Sequence, residues 1–450
     1  MTHPLDRLSR RSFLGQSALV GGALAAGVHS SLSAAEESDS SLEKLNIACV
    51  GTFNRAASDI KGVASENIVA LCDVDQGMLD KAGAEYTGAR KYRDFRVMLE
   101  EEEKGIDAVV VGTPDHTHAP AAAMAMRMKK HVYCEKPLAH TVYETRVLAD
   151  LAKEHNLVTQ MGTQVHAGDN YRRVVELVQS GTIGEIREVH VFHGVNYTGR
   201  RLITGMPTPS QLDWDLWLGP TPPRPYCESV TSDGERIPLH PFHWRHFWDY
   251  SAGGMGDFGC HYMDLPHWAL KLMYPTRVSA TGPTPHLIAA TAGIVATYEH
   301  PARGDMPPVT LTWYDGGRKP EIVTTLKGAN GEPLNYGTGS LFVGSEGMII
   351  ADYSRHTLLP ADKFSDADRP EPFIPASIGH HKEWTHAIKN GGPTTCNFEY
   401  SGALTESVLL GVASYRSGEA LEWDAENLRV TNSDHAQQFI HKEYRKGWTL

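Results

Sequence analysis

Three groups of residues, far apart in the chain, carry side chains suited to moving a proton and stabilising a developing oxyanion. The first is Glu135-Lys136-Pro137 in "HVYCEKPLAH", where an apolar run ends on an acid and a base. Proline keeps the residue before it out of the helical region, and an X-Pro bond adopts the cis form more readily than other peptide bonds. Lys136 is therefore held extended, and an ammonium fixed at a strand end can stabilise an alkoxide. The second group is "SAGGMGDFGCHYMDLPHWAL". If Asp257 to Leu270 is helical, Asp257 and His261 share a face, with Asp264 one turn further on. A carboxylate beside an imidazole orients it and favours its protonated form, as suits a general base. The third, "VVVGTPDHTHAPAA", offers Thr113, Pro114, Asp115, His116 and His118 after another apolar run. Each group has a plainer reading, as a strand end in water or a capped polar helix face, so position in the fold has to decide.

The elements around them are regular. Apolar, β-rich runs at Leu45 to Val50, Ile68 to Leu71, Ala108 to Val111 and Val132 to Cys134 alternate with helical patterns such as Asp94 to Lys104, Pro120 to Lys130 and Tyr143 to His155. That alternation means βαβ units and a parallel sheet covered on both faces, a doubly wound α/β domain over residues 45–165. Ligands bind at the carboxyl ends of such strands. Thr113, Pro114, His118, Glu135 and Lys136 therefore fall on one rim. The first strand-to-helix turn, "IACVGTFNRAASDI", answers in part to the dinucleotide pattern G-x-G-x-x-G/A. Gly51 and Ala56 fit. Phe53 stands where a middle glycine normally lets the backbone approach a pyrophosphate, so the phosphate shifts, the turn differs, or binding weakens. Gly51, Phe53, Asn54, Arg55 and Ala56 are the phosphate-side candidates. Asp73, about twenty residues beyond the loop, ends the second strand where an acid hydrogen-bonds a ribose, and its charge favours NAD over NADP. Residues 166–450 read as a second domain, with a helix at Tyr171 to Ser180, a loop region rich in Trp, Pro and His from about 200 to 250, and strand runs of a mixed or antiparallel sheet.

The chain has 450 residues, 41% apolar and 21% charged, and a formal net charge of -12. No basic run interleaved with aromatics supplies a surface for phosphate backbones, which excludes nucleic acid as a partner. At the start, Arg10 and Arg11 precede a Gly/Ala-rich stretch, Phe13 to Val28, and small residues at Ser33 to Ala35. This resembles a twin-arginine export signal over residues 1–35, followed by a linker, 36–44, and it implies a periplasmic mature protein. The stretch is too short and too weakly apolar for a membrane anchor, so no span is expected after cleavage. The six cysteines, at 49, 72, 134, 227, 260 and 396, show neither zinc spacing nor a disulfide framework. Free buried thiols and a cofactor loaded before export both suit a protein exported already folded. No metal is expected, because neither His116/His118 nor His240/His243/His246 has H-E-x-x-H spacing or a completing carboxylate.

"GTPDHTHAP", "CEKPLA" and "GGMGDFGCHYMD", behind a first strand with a glycine turn, resemble the Gfo/Idh/MocA oxidoreductase family, as do "DWDLWLGPTPPRPY", "HKEWTHAIKNGG" and "NFEYSGALTESVLLG". The resemblance covers essentially all of the chain after the leader. It implies an N-terminal Rossmann domain and a C-terminal α/β domain whose open, largely antiparallel sheet carries the active site and an oligomer interface, in a dimer or tetramer. It also implies NAD as cofactor and Lys136, Asp257 and His261 as catalytic residues, Lys136 preceding a cis-proline. The expected substrate is a carbohydrate with a secondary alcohol, or a glycoside. His261 would take the hydroxyl proton, Asp257 would orient the imidazole, and Lys136 would stabilise the alkoxide. Gln164, His166, Tyr171 and Arg172 are candidates for binding substrate hydroxyls. Outside the cytoplasm there is no nicotinamide pool, so the cofactor is expected to stay bound and be recycled. Recycling would couple two sugars or follow the transient oxidation and elimination of NAD-using glycosidases. The tryptophans at 214, 217, 244 and 248 suit either sugar rings or the packing of a long loop. Phe53 keeps a third alternative open, a catalytically silent sugar-binding homologue.

Overall fold

Small and β-branched apolar residues at Asn46–Val50 form the central strand, β1, of a six-stranded parallel sheet in the computed structural model, which describes residues 43–364 and 369–450. The export signal expected at 1–35 lies outside the described residues. The other strands are β2 (Asn67–Cys72), β3 (Arg90–Tyr92), β4 (Ala108–Val111), β5 (His131–Cys134) and β6 (Thr159–Met161), in the order β3-β2-β1-β4-β5-β6. Between them run α1 (Arg55–Gly62), α2 (Gln76–Glu85), α3 (Phe95–Glu102), α4 (His118–Arg127) and α5 (Val142–Glu154). β1 and β4 are neighbours although the chain passes β2 and β3 first, so strand order reverses there and a crevice opens above their carboxyl ends. Local chemistry fixes where the helices begin. Asp75 and Asp94 cap α2 and α3, and Thr141 with Glu144 forms a reciprocal capping box on α5.

After α6 (Asp169–Gln179), β7 (Ile186–Phe192) enters a nine-stranded sheet. A separate three-stranded sheet, β8 (Arg201–Thr204), β9 (Cys227–Val230) and β10 (Arg236–Pro238), occupies much of the region read as loop. Its core holds the short helix α7 (Trp214–Leu218) with Trp214, Trp217, Trp244 and Phe247, and Trp214 stacks on Trp217 at 4.7 Å. The strands there are too short, and too often broken by proline and glycine, for a period of two to show in sequence. Trp214, Trp217, Trp244 and Trp248 are all buried, so they pack this region first, although Trp217 and Trp244 also reach the wall of a cleft.

The large sheet continues with β11 (Arg277–Thr281), β12 (Val295–His300), β13 (Val309–Tyr314), β14 (Gly339–Gly344), β15 (Met348–Ala351), β16 (His356–Leu359), β17 (Leu421–Asp424) and β18 (Arg429–Val430). Its order is β16-β15-β14-β7-β13-β12-β11-β17-β18, and every neighbouring pair is antiparallel except β7 with β13. The fold is thus the expected α/β arrangement of a Rossmann sheet and an open, largely antiparallel sheet. The helices here include α8 (Gly253–Tyr262), α9 (Asp264–Ala269), α10 (His380–Asn390) and α11 (Phe398–Ser417). α11 is buried on nearly all sides, as its run of small and apolar residues requires. It packs on α5, α8 and β11. α8 approaches it closely because Gly259 has no side chain, and a Cβ there would sit 2.8 Å from Val408. That approach sets the depth of α8 and hence of Asp257. All six cysteines are buried and free, and no described helix is long and apolar enough to cross a membrane.

Candidate active site

A cleft of about 310 Å³ opens above the carboxyl ends of β1, β2, β4 and β5. Gly51 turns out of β1 with φ +89°, and a Cβ there would lie 2.9 Å from the carbonyl oxygen of Gly112. Gly112 in turn meets α1, where its own Cβ would stand 2.7 Å from that of Ala56. Gly51 and Ala56 therefore do the work the turn needs, a tight reversal and a close helix-strand contact. The turn itself differs from the glycine-rich form: Asn54 takes φ +57°, and Phe53 is 39% exposed at the cleft margin. Asn54 caps α1 without a side-chain hydrogen bond, which leaves first-turn N–H groups for an anion. Asp73 accepts hydrogen bonds from the Thr52 amide (2.9 Å), the Thr52 hydroxyl (2.8 Å) and the Asp75 amide (2.9 Å) while lining the cleft. Burial raises its pKa, and these hydrogen bonds oppose the rise. A dinucleotide fits this set: phosphates at the α1 terminus, ribose at Asp73, and the nicotinamide end toward Thr113, Pro114 and Lys136.

On that far rim the Lys136-Pro137 bond is cis. The Lys136 ammonium donates to Asp257 Oδ1 at 2.5 Å and to the Asp257 carbonyl at 2.6 Å. Asp257 Oδ2 accepts from the Tyr197 hydroxyl at 2.6 Å and faces Arg245 Nε at 3.4 Å. Burial disfavours this carboxylate, but Lys136, Arg245 and the Tyr197 hydroxyl outweigh it and hold the carboxyl well below its ordinary range. One expectation is corrected here. Asp257 makes no hydrogen bond to His261, because donors from three other segments take its oxygens, and His261 Nδ1 is buried without a partner. Asp257 positions Lys136 rather than the imidazole.

His261 lines the same cleft. Burial and the neighbouring Lys136 push its pKa well below the ordinary value, against the opposing charge of Asp257. A base kept neutral in this way is ready at mildly acid pH. The acid limb of kcat/KM is accordingly expected below the ordinary imidazole value. A limb at or above that value in the pH-rate profile would remove His261 as the base.

The remaining candidates divide. Thr113, Pro114 and His118 line the cleft, and the His118 ring joins the carbonyls of Pro137 and Thr113, each at 2.8 Å, tying the β4 loop to the cis bond. Gln164 reaches the cleft, yet its amide donates to Glu135 at 2.6 Å and to the Tyr133 hydroxyl at 2.7 Å. His166, Tyr171 and Arg172 are not at the cleft, which corrects their placement as substrate ligands. His166 pairs with Asp264 at 2.9 Å and stacks on Trp268. Tyr171 donates to the His261 carbonyl at 3.2 Å, and Arg172 donates to the Pro375 carbonyl. These side chains brace α8 and its surroundings from behind, a destination the helical period of 169–179 does not reveal. Among the described residues, the metal-type side chains that lie together are His166, Asp264 and Cys396, where the His166–Asp264 hydrogen bond accounts for the contact.

Sequence reasoning missed Tyr197 and Arg245, which carry no motif, and gave Asp115 no particular role. Asp115 is buried beside this cluster and raised to about 7 by burial, with Arg245 opposing and Asp257 adding to the rise. Below the rim, Glu135 meets a second carboxyl, Asp59. Arg55 bonds Asp59 at 2.9 Å and lies 3.5 Å from Glu135, and His381 reaches Asp59 at 3.0 Å. Burial, then the charge of Asp59, lifts Glu135 to about 7, and burial lifts Asp59 to about 6. The folded state thus keeps protons that the unfolded chain releases near pH ~4.3. This contribution to stability is present at low pH and is lost as pH rises from there to about 7. Melting curves at pH ~5 and ~8, inside and above that window, should show wild type losing more stability on alkalinisation than Glu135→Gln; parallel losses would refute the assignment.

Residues 45–163 match a model described as oxidoreductase family, NAD-binding Rossmann fold, and residues 168–450 match that family's C-terminal alpha/beta domain. Among curated relatives, the chain is 34% identical over 155 residues to an inositol 2-dehydrogenase 1 of Saccharopolyspora erythraea, covering 33% of this chain and 45% of that one. A glycosyl hydrolase family 109 protein of Shewanella pealeana is 29% identical over 160 residues, 32% of this chain and 34% of the relative. The match spans less than half the length of these curated relatives. Among solved structures, the WlbA dehydrogenase of Bordetella pertussis in complex with NADH and UDP-GlcNAcA superposes with a TM-score of 0.58 at 18% identity, covering 85% of this chain and 99% of that one. At that identity the likeness speaks for the fold.

Proposed function

The chain belongs to the Gfo/Idh/MocA oxidoreductase family, and on that premise we propose that it oxidises a secondary hydroxyl of a sugar or glycoside with NAD held in the cleft. The observation that carries this reading is the Lys136–Asp257 pair facing the rim that His261 shares. NAD bound there supplies the hydride acceptor. The chain supplies the rest: neutral His261 takes the hydroxyl proton, and the Lys136 ammonium, aimed by Asp257, stabilises charge that grows on the oxygen only as the reaction proceeds. Tyr197 and Arg245 keep Asp257 ionised, so Lys136 stays fixed without the cost of reorganising.

A redox-neutral second reading, hydrolysis through transient oxidation and elimination, is favoured by the likeness to the Shewanella pealeana glycosyl hydrolase family 109 protein. Both readings take NAD as bound and recycled. The twin-arginine pattern around Arg10 and Arg11 supports export to the periplasm, and six free buried thiols suit a protein folded before export. The test is a screen of free sugars and glycosides against protein purified with its native cofactor, following both reduced-nicotinamide fluorescence and released products. Fluorescence that rises with one sugar and falls when a second is added supports oxidation of one sugar coupled to reduction of another. Released aglycone with no net reduction supports the second reading, and neither signal, with no NAD in the denatured supernatant, overturns both.

A further inference from the structure

Behind the segments that carry Lys136 and Asp257 lies a second cavity, of about 360 Å³, which shares no lining residue with the cofactor cleft. Its walls include His140, four residues beyond Lys136, and Ser251 and Ala252, just ahead of α8. Arg416, near the end of α11, reaches into it between two rings, with its guanidinium 5.2 Å from the Trp248 centroid and 4.8 Å from that of Phe439.

The charges around it are otherwise matched. Lys442 pairs with Glu144 at 2.9 Å and also touches His140 Nδ1 at 2.9 Å. Glu144 is further satisfied by the Tyr444 hydroxyl and the amides of His140 and Thr141. Asp249, the acid whose field reaches Arg416, is bonded to Arg224. Glu443 is exposed. Among the described residues Arg416 makes no hydrogen bond or ion pair, and the contacts of its guanidinium are the two aromatic rings. Arginine stays protonated in proteins and presents five N–H donors. A half-buried cation whose donors no protein group takes, in a cavity edged by a second cation, is disposed to bind an anion through charge-assisted hydrogen bonds. Planar guanidinium matches the two-oxygen edge of phosphate and carboxylate groups.

We propose that this cavity is a binding site for a small molecule bearing a phosphate or carboxylate group, held by Arg416 and supported by Lys442. The volume leaves room for more than a lone oxyanion, so the rest of the ligand lies along Thr221, Ser251 and His140. Occupancy also braces Trp248, whose ring packs against Gly253 at the start of α8.

The test uses the full mature holo-protein in buffer free of phosphate and carboxylate, with melting temperature read against inorganic phosphate, a hexose phosphate and a hexuronate in separate titrations. At least one should raise the melting temperature saturably by a few degrees, through binding to the folded state. A response to both phosphates marks phosphate chemistry, and a response to the hexuronate alone marks carboxylate. Arg416→Met should abolish the rise. Should that variant not fold, Arg416→Lys carries the test, since it keeps the charge but loses the two-pronged fork and should need a higher concentration for the same rise. No response to any of the three probes, or a full response in Arg416→Met or Arg416→Lys, overturns the proposal.

Discussion

Lys136→Met is expected to retain NAD and to lower kcat by roughly 10²–10³-fold, the loss typical of removing a donor that faces a developing oxyanion. Methionine keeps the length and the apolar contacts of the stem, so the fold and the cofactor cleft survive. What disappears is the ammonium, whose worth is greatest when charge has built on the substrate oxygen. KM should therefore move little while kcat falls. A second consequence is electrostatic. Lys136 is the strongest of the groups that oppose burial at Asp257, and without it Arg245 and Tyr197 hold the carboxylate with less help. The Asp257 pKa should rise in the variant, and binding steps that need its charge should weaken earlier as pH falls. Steady-state rates, with NAD quantified after denaturation, decide the matter: near-normal turnover would show that the ammonium is a structural partner of Asp257 and nothing more.

The parts of this site that sequence reveals are those fixed by local geometry. Gly51 and Ala56 can be read because a strand-to-helix turn needs small residues at defined offsets, and Asp73 and Lys136 because parallel strands deliver their carboxyl ends to one rim. That Lys136, Asp257 and His261 share one site follows from the family resemblance, not from any period, since 121 positions separate Lys136 from Asp257, and the ion pair between those two is a finding of the structure. Tyr197 and Arg245 could not be found in this way. Tyr197 lies in irregular backbone and Arg245 in a single 3-10 turn, His243–His246, and their meeting at Asp257 depends on how the three-stranded sheet and the tryptophan cluster fold over the rim. The expected Asp257–His261 bond fails for a similar reason. Helical spacing makes the two residues neighbours, but two cationic groups and a hydroxyl from elsewhere compete for the same oxygens and win. His166 and Tyr171 were misplaced because an amphipathic pattern shows which residues face one way, not whether a cleft or a packed helix lies there.

Retention of NAD is expected to depend on the last few residues of the chain. Trp448 lines the cleft beside Phe95, with their rings 5.9 Å apart, and Arg96 lies over the indole at 4.4 Å. Arg96 also donates to the Gly447 carbonyl at 3.0 Å, so the tail is fastened to α3 on the Rossmann side. On the other side Arg445 donates to the Gly219 carbonyl at 2.6 Å and pairs with Asp215 at 2.5 Å, fastening it to α7. The tail thus straps the two walls together at the end of the cleft where Asp73, Arg93 and Phe95 would receive the adenosine half of NAD. Cutting the chain after Tyr444 removes both fastenings and an aromatic wall. Loss of one such anchor costs about 1–3 kcal/mol, so NAD affinity should fall by roughly 5- to 150-fold. Trp448→Ala, which leaves Arg445 in place, should show a smaller fall. Protein purified by the same route would then carry little NAD, and activity would return when NAD is added, because Lys136, Asp257 and His261 are untouched. If the shortened protein keeps its full complement of NAD through dialysis, the strap does not hold the cofactor, and its retention has to come from the α1 terminus and Asp73 alone.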